Sequence, residues 1–225
     1  VHPSPVDHAH FTTTSTYKPG GPRGGLILMG RDFDAPIQAG GRSMPLWERI
    51  EKTTFPGFQG TPYLNNIAAK AVFFREMLSA EYKARQFRIV ENARSLAKAF
   101  DRLGYDILTG GTDNHMFCIN VGRFREGLTG AIAQHCLEEC GVIVNMNRLP
   151  YDPHSPRVTS GMRLGTPIVT KNGMGPMQME AIASLVDSIL TKVEPTGGRD
   201  YRLDDRLRLE TRCQVQDLCA RFPMV

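Results

Sequence analysis

Three loops rich in Gly and Pro carry the side chains best suited to chemistry, and they cover residues 17–25, 55–62 and 159–167. Loops of this composition often present ligand-binding groups on a rigid scaffold. In the third loop, Arg163 follows Gly161-Met162 and is therefore flanked by small and apolar residues. Its planar guanidinium group suits a carboxylate ligand. We predict an anion-binding role for Arg163, with a structural ion pair as the alternative.

The other two loops have features of phosphate or anion sites. The segment Gly57–Gly60 precedes a predicted helix, an arrangement that offers backbone N–H groups to a phosphate. Arg23 lies between Pro22 and Gly24, which restrict its position. The alternative for each loop alone is a tight connection without a ligand.

Histidines and cysteines give no metal pattern. The segment Gly110–His115 predicts a polar turn in which Asp and Asn bond the backbone, and His115 is interpreted as structural. The six histidines lack ligand spacing, and the five cysteines contain no CxxC pair. We predict reduced thiols in a cytoplasmic protein and no metal site.

The hydrophobic pattern predicts alternating strands and helices, and hence a layered α/β or α+β fold. Predicted strands are a short one at Thr12–Thr16, a buried one at Leu26–Met29, and others at Met116–Val121 and Val142–Val144. A first helix is predicted after residue 62, where apolar residues follow a 3.6-residue period at Ile67, Ala68, Ala71, Val72 and Met77. A longer helix is predicted at Tyr82–Leu103, with Gly104 as its C-terminal cap. Three further helices are predicted at Thr129–Cys140, from Pro176 onwards, and at about Asp200–Phe222.

Composition excludes several classes of protein. The 225 residues are 41% hydrophobic with a net charge of +4, which is ordinary for a globular chain able to bury a core. No dense basic block or aromatic ladder predicts nucleic-acid binding, and no apolar run is long enough for a membrane span. The start has no signal-peptide pattern and no initiator Met, from which we expect an incomplete N-terminus.

Several motifs together resemble the serine hydroxymethyltransferase family. TTTSTYKPGGPRGG at Thr12–Gly25 resembles the family signature TTTTHKTLRGPRGG, and FPGFQGTP from Phe55 resembles FPGxQGGP. GGTDNH, the triplet Asn145–Asn147, SPRVTSGMRLGTP and LCARFP resemble further blocks in the family's order. The resemblance covers essentially the whole chain, and the family's N-terminal half has no counterpart here.

The resemblance implies a fold-type I, aspartate aminotransferase-like enzyme that depends on pyridoxal phosphate (PLP). Residues 1–77 would be the tail of the large cofactor domain, and residues 78–225 the small C-terminal α+β domain. The family reaction transfers the hydroxymethyl carbon of serine to tetrahydrofolate and gives glycine. A homo-oligomer is implied, because the family's phosphate loop reaches the cofactor of the neighbouring subunit.

The resemblance also assigns roles to single residues. Arg163 matches the arginine that binds the substrate carboxylate, and Arg23 matches the arginine of the GPRGG loop near the cofactor. Gly60 matches the first glycine of the phosphate loop, and Asn147 matches an asparagine of the folate pocket.

Five departures from the family pattern fall in loops that would lie near the ligands. The family's His-Lys pair falls on Thr16 and Tyr17, and Tyr17 has no amine to bind the cofactor covalently. The remaining departures are Thr61 for the second loop glycine, Asn65 for a histidine, Met146 inside the triplet and Arg157 after Ser-Pro. They indicate changed or lost chemistry on a retained scaffold.

Lys18 lies one residue beyond the expected lysine. In an extended segment, which Pro19 favours, that shift sends the side chain to the opposite face. We interpret Lys18 as a solvated lysine, with a backbone slip that returns its amine to the cofactor as the alternative.

Three functional hypotheses follow. The chain is an incomplete or divergent member of the enzyme family, inactive alone and completed by another chain or an N-terminal half. Alternatively, it is a catalytically inactive paralogue that acts as a scaffold or regulatory subunit. The third hypothesis is a related PLP aldolase or transaldolase, which the changes at Met146 and Arg157 near the folate loop would permit.

Overall fold

The computed structural model describes residues 1–224, which divide into two compact units, Val1–Lys83 and a second unit from Ala84 onwards. In the first unit only Thr16, Gly30, Phe73 and Tyr82 are buried. The second unit contains the extended hydrophobic core. No helix in the described part of the chain is long and apolar enough to cross a membrane.

The first unit contains two antiparallel strand pairs, two complete α-helices and a short 3-10 turn at Val6–His8, and it ends within a third helix. Strands β1 (Phe11–Ser15) and β2 (Gly25–Met29) pair along their whole length, and β3 (Pro36–Ala39) pairs with β4 (Arg42–Pro45). Helix α1 (Leu46–Lys52) continues into a helical turn at Thr53–Phe58, and α2 (Leu64–Met77) follows. The two predicted strands and the helix predicted after residue 62 are therefore confirmed.

The prediction that β2 is buried is wrong. Ile27 and Leu28 are 46% and 38% exposed, because β2 pairs only with β1 among the described strands and no second layer covers it. The periodic apolar face of α2 is likewise uncovered, with Ile67 51% exposed, and Phe73 is the one buried side chain of that helix. Periodicity therefore predicted the helix correctly, although this face packs against nothing within the unit.

Helix α3 (Ala80–Arg102) contains the boundary between the units. The elements that follow are β5 (Asp106–Ile107), β6 (Met116–Asn120), α4 (Val121–Phe124), α5 (Gly130–Glu139), β7 (Asn145–Asn147), β8 (Gly161–Gly165), α6 (Pro167–Lys171), α7 (Pro176–Leu190), β9 (Glu194–Pro195), β10 (Tyr201–Arg202) and α8 (Asp205–Arg221). Strands β5, β6, β8 and β7 form, in that order, an antiparallel sheet.

One face of this sheet is part of the core. Alternation along β6 and β8 places Phe117, Ile119, Met162 and Leu164 on the same face, and all four are buried. They belong to one cluster with apolar side chains of α3, α5 and α7, among them Phe100, Ile132, Leu137, Met179 and Ile189. Burial of each such side chain contributes about 1.5–3 kcal/mol relative to exposure, so this cluster fixes the sheet against the helices.

Local signals in the sequence predicted several helix ends. The Thr129 hydroxyl accepts a hydrogen bond from the backbone N–H of Ile132 and caps α5, and Gly104 takes φ +87° just beyond α3. Pro176 opens α7 as predicted. The final helix begins at Asp205, five residues later than expected, because the preceding Tyr201–Arg202 pairs with β9.

Two predictions about the sheet are wrong. The strand predicted at Val142–Val144 lies at Asn145–Asn147 instead, where the backbone finds partners on β8, while Ile143 is 88% exposed. The segment around Arg163 is an interior strand rather than a loop. Gly161 is needed there for close packing, since a Cβ would lie 2.5 Å from the carbonyl oxygen of Asn147.

The connection between β7 and β8 is organised by the buried carboxylate of Asp152. It accepts hydrogen bonds from the backbone N–H groups of Leu149, His154 and Ser160 and from the Ser160 hydroxyl, at 2.8–3.1 Å. Burial acts to raise the pKa of Asp152, but the bonds from Ser160 and then His154 outweigh it and lower the pKa to about 2. This carboxylate therefore fixes the chain that leads into β8.

We expect Asp152→Asn to lower the free energy of unfolding by about 2 kcal/mol, because an amide presents a donor where the carboxylate accepts four bonds. The folded pKa of Asp152, about 2, lies below its ordinary value of 3.8. Its stabilisation is thus present above about pH 4 and lost as the pH falls toward 2. Urea unfolding of both proteins across this range should show the difference shrinking with acid.

Asp113→Asn is the matched control, because that carboxylate is 96% exposed and its ion-pair partner among the described residues is Arg94. It should cost less than about 1 kcal/mol. An Asp152→Asn protein as stable as the wild type at every pH would contradict the role given to Asp152.

Candidate functional site

The face of the sheet opposite the core carries polar side chains. Cys118 of β6, Arg163 of β8 and Asn145 of β7 lie side by side, because β8 pairs Arg163 with Cys118 on one side and with Asn145 on the other. Asn147, two residues along β7, lies on the same face. We call these four residues the open-face row. The structure therefore brings together two predicted site residues, Arg163 and Asn147.

Arg163 is exposed and has one hydrogen-bond partner in the described part of the chain. Its Nε donates to the side-chain oxygen of Asn145 over 3.1 Å. No carboxylate among the described residues pairs with it, whereas three other arginines of this unit, Arg94, Arg102 and Arg123, each pair with an acidic side chain. Both terminal nitrogens of the guanidinium group are thus available to an anion. A structural ion pair, the alternative role for Arg163, does not occur among residues 1–224.

The neighbours of Arg163 on both adjacent strands are uncharged. Burial raises the pKa of the Cys118 thiol, and the nearby charge of Arg163 opposes this only in part, so the thiol stays neutral at neutral pH. Asn145 carries no charge. The positive charge of Arg163 is therefore left uncompensated within the open-face row.

Asn147 and Met146 face opposite sides of β7. The Asn147 amide donates to the carbonyl oxygen of Arg148 over 2.7 Å, which leaves its side-chain oxygen available. Met146 pairs in register with the buried Met162, and its Cβ lies 3.2 Å from where a Cβ on Gly130 of α5 would be. The substitution at Met146 is therefore on the helix side of the sheet, away from the open-face row.

In the first unit, Thr16 and Tyr17 begin a tightly held loop. Thr16 is buried, and its hydroxyl donates to the carbonyl oxygen of Pro22 over 2.6 Å. Tyr17 is 46% exposed, and the guanidinium carbon of Arg23 lies 5.6 Å from the centre of its ring. The loop is also fixed to α2, because Phe73 fills the space beside Gly21, where a Cβ would come within 2.4 Å of its ring.

Two lysines, Lys18 and Lys70, lie near this loop, but neither occupies position 17, where the family motif has its lysine. Lys18 is exposed inside a hydrogen-bonded turn, in which the Gly20 N–H donates to the Tyr17 carbonyl oxygen over 3.0 Å. The extended backbone expected at Lys18 is therefore wrong, and alternation of faces does not set its direction. Lys70 of α2 donates to the carbonyl oxygen of Gly25 over 3.2 Å and so holds the loop.

The Gly60 loop is open. A Cβ added to Gly60 would meet no atom within 4 Å, so the backbone there is accessible. Thr61, at the place of the family's second glycine, takes φ +44°, a region that favours glycine. Thr61 therefore has a backbone conformation that glycine adopts more readily. Asn65 and Arg157, two other departures from the motif, are both exposed.

The residues of the first unit do not fit covalent attachment of PLP. The matched position holds a phenol at Tyr17, the Lys18 amine is exposed in a turn, and the Lys70 amine is bonded to a backbone carbonyl. Arg23 and Gly60 remain accessible, so groups for an anionic phosphate are present without the amine. Among residues 1–224 no cluster of three metal-ligating side chains occurs.

The sequence pattern did not indicate that Asn145 contacts Arg163. The signal for it lies in the alternation of a strand, since two asparagines separated by one residue share a face. The error of three residues in the position of β7 concealed this relation, because the predicted strand ended before Asn145. The position of Cys118 beside Arg163 likewise has no signal in the sequence, where it is one of five cysteines.

Most of the chain is similar to a known protein family. A family model described as serine hydroxymethyltransferase matches residues 1–186 of the 225-residue chain. The match includes the loop at Tyr17, the Gly60 loop and the open-face row. Members of this family generally use PLP and tetrahydrofolate. The chain belongs to the serine hydroxymethyltransferase family.

Proposed function

We propose that the chain binds the amino-acid substrate of a serine hydroxymethyltransferase-type site, with serine and glycine as ligands and tetrahydrofolate as the one-carbon acceptor. The observation that carries this proposal is Arg163, whose terminal guanidinium nitrogens have no partner among the described residues and no compensating acid. A charge-assisted fork of this kind suits the carboxylate of an amino acid. Asn147 on the same face is the proposed folate contact.

We propose further that another chain supplies the covalent attachment of the cofactor. Tyr17 has no amine, and neither Lys18 nor Lys70 replaces it, so this chain alone should be inactive. PLP serves as an electron sink when it is bound in enzymes of this class. Gly60 and Arg23 would then contribute to a shared site. In this proposal residues 1–77 are the tail of the large domain, residues 78–225 are the small domain, and the protein is cytoplasmic.

Exposed apolar side chains support an assembly with a second copy or a related chain. In the first unit Phe58, Tyr63, Leu64, Val72 and Leu78 are between 70% and 85% exposed. Four of them lie on or beside α2, whose apolar face has no cover within the unit. Apolar surface of this extent commonly marks an interface between proteins.

The alternative functions differ in their support. A catalytically inactive scaffold or regulatory subunit is favoured by Tyr17 alone, since loss of the amine removes catalysis and leaves the fold. The aldolase or transaldolase hypothesis rested on Met146 and Arg157. Met146 lies on the helix side of β7, so this substitution gives the hypothesis no support.

We expect Arg163→Lys to weaken glycine and serine binding by about 1.5–3 kcal/mol, because a point charge does not replace a planar fork. Titration with glycine, followed calorimetrically or by amide NMR shifts, measures the change. Arg199→Lys, at an exposed arginine of the same unit, is the matched control and should bind as the wild type does. Equal affinities for Arg163→Lys and wild type, or a large fall in its melting temperature, would assign Arg163 a structural role.

We expect the purified chain to show no serine–glycine exchange. We also expect no imine with PLP that borohydride reduces to a stable secondary amine. Tyr17→Lys should gain that attachment at position 17, because it restores an amine to a half-exposed position of a fixed loop. Peptide mapping by mass spectrometry after reduction measures this. Lys18→Ala, the control, should behave as the wild type does, and wild-type turnover that Lys18→Ala abolishes would show that the shifted lysine serves as the amine.

We expect the wild-type protein to associate in solution through the first unit. Leu64→Glu combined with Val72→Glu should shift it toward monomer in sedimentation equilibrium, because charges on the apolar face of α2 oppose burial. Ile143→Glu is the control, since this side chain is 88% exposed in the second unit. A wild-type protein that sediments as a monomer would contradict the proposed assembly.

A further inference from the structure

Arg163 needs a defined orientation if its guanidinium group is to bind a carboxylate. An arginine side chain has four rotatable bonds, and immobilising a side chain with many rotamers costs binding free energy. The group has five N–H donors, one on Nε and two on each terminal nitrogen. A partner that engages Nε alone would orient the group and leave both terminal nitrogens to a ligand.

Asn145 makes this contact. Its side-chain oxygen accepts from Nε of Arg163 over 3.1 Å, and its own amide nitrogen donates to the carbonyl oxygen of Met146 over 3.0 Å. The second bond fixes which end of the amide faces Arg163, because the nitrogen is engaged elsewhere. Both polar atoms of Asn145 therefore have a defined partner.

Strand β7 is itself held in place. It is the last strand of the sheet and has only three residues, so pairing with β8 alone would hold it weakly. The side-chain oxygen of Gln134 of α5 accepts from the Met146 backbone N–H over 2.8 Å. A helix of the core thus supports the strand that presents Asn145.

The side chain of Asn145 is an uncharged amide, and this matters because a carboxylate at the same position would carry a negative charge. A carboxylate beside Nε would hold the guanidinium group equally well but would neutralise it. Asn145 accepts the same hydrogen bond and leaves the full positive charge for a ligand, and the neutral Cys118 thiol on the other side does not reduce it. The pairing therefore combines orientation with an uncompensated charge.

We infer that Asn145 is the positioning residue of Arg163, holding Nε so that the two terminal nitrogens form a fork for the carboxylate of an amino acid. This inference rests on the proposed binding function of Arg163. Asn145 itself does not touch the ligand in this role. It acts through the orientation and charge of its neighbour.

Two substitutions at Asn145 separate positioning from a merely structural role. Asn145→Leu removes the acceptor at similar volume and should weaken glycine binding about three- to tenfold. Asn145→Asp keeps the acceptor and should maintain or raise the melting temperature, yet weaken glycine binding about tenfold or more, because it neutralises Arg163 and repels the ligand. If Asn145 only stabilised β7, Asn145→Leu would lower the melting temperature and leave the affinity for glycine at the wild-type value.

Cys118→Ala is the matched control, since Cys118 is the other direct neighbour of Arg163 and no hydrogen bond joins the two. Glycine titration of the whole protein, followed by amide NMR shifts, gives each affinity. The double variant Asn145→Leu/Arg163→Lys should lose less glycine-binding free energy than the two single variants lose together, because both substitutions act on one contact. Additive losses would overturn the inference.

A measurement without ligand tests the contact directly. The Arg163 Nε–H proton should exchange slowly with solvent in the wild type and in Cys118→Ala, and rapidly in Asn145→Leu. An exchange rate that Asn145→Leu leaves unchanged would overturn the inference. Two other outcomes would contradict the proposed function rather than this inference. They are a wild-type protein that binds no glycine, and an Arg163→Lys protein that binds glycine as tightly as the wild type.

Discussion

The antiparallel pairing of β8 between β6 and β7 is the constraint on which the candidate site depends. Side chains alternate along a strand, so a slip of one residue would turn Arg163 into the core and Met162 onto the open face. Met162 and Leu164 are buried among helix side chains, and their burial sets the register. The position of Arg163 is therefore a consequence of hydrophobic packing on the opposite face of the sheet.

The loop at Tyr17 is fixed in a different way. It has little apolar cover, and hydrogen bonds from Thr16, Asn66 and Lys70 to loop carbonyl oxygens hold it instead. The Thr16 hydroxyl closes the loop by donating to the carbonyl oxygen of Pro22. The loop is therefore well bonded, with a phenol at Tyr17 and an exposed amine at Lys18.

The sequence predicted those elements whose signals are local. The Thr129 cap and the Pro176 helix start were correct, because each depends on side chains within one turn of helix. The segment at Arg163 was interpreted as a loop because of its glycines. Gly161 is in fact required by close contact with Asn147 across the strands, a distant relation that no local pattern shows. The position of β7 also depends on a distant relation. Its polar residues Asn145–Asn147 pair with β8, whereas the apolar run Val142–Val144 before it does not.

The uncompensated charge of Arg163 separates it from three other arginines of the second unit. Arg94, Arg102 and Arg123 are paired with acidic side chains at the surface, where such pairs contribute little to stability. Leaving Arg163 without an acid therefore costs the fold little. Neutral side chains on both adjacent strands leave its charge uncompensated, and a carboxylate ligand would remove that charge. In the proposed function, carboxylate binding by Arg163 does not depend on an amine at position 17, because core packing positions Arg163 while hydrogen bonds hold the loop at Tyr17.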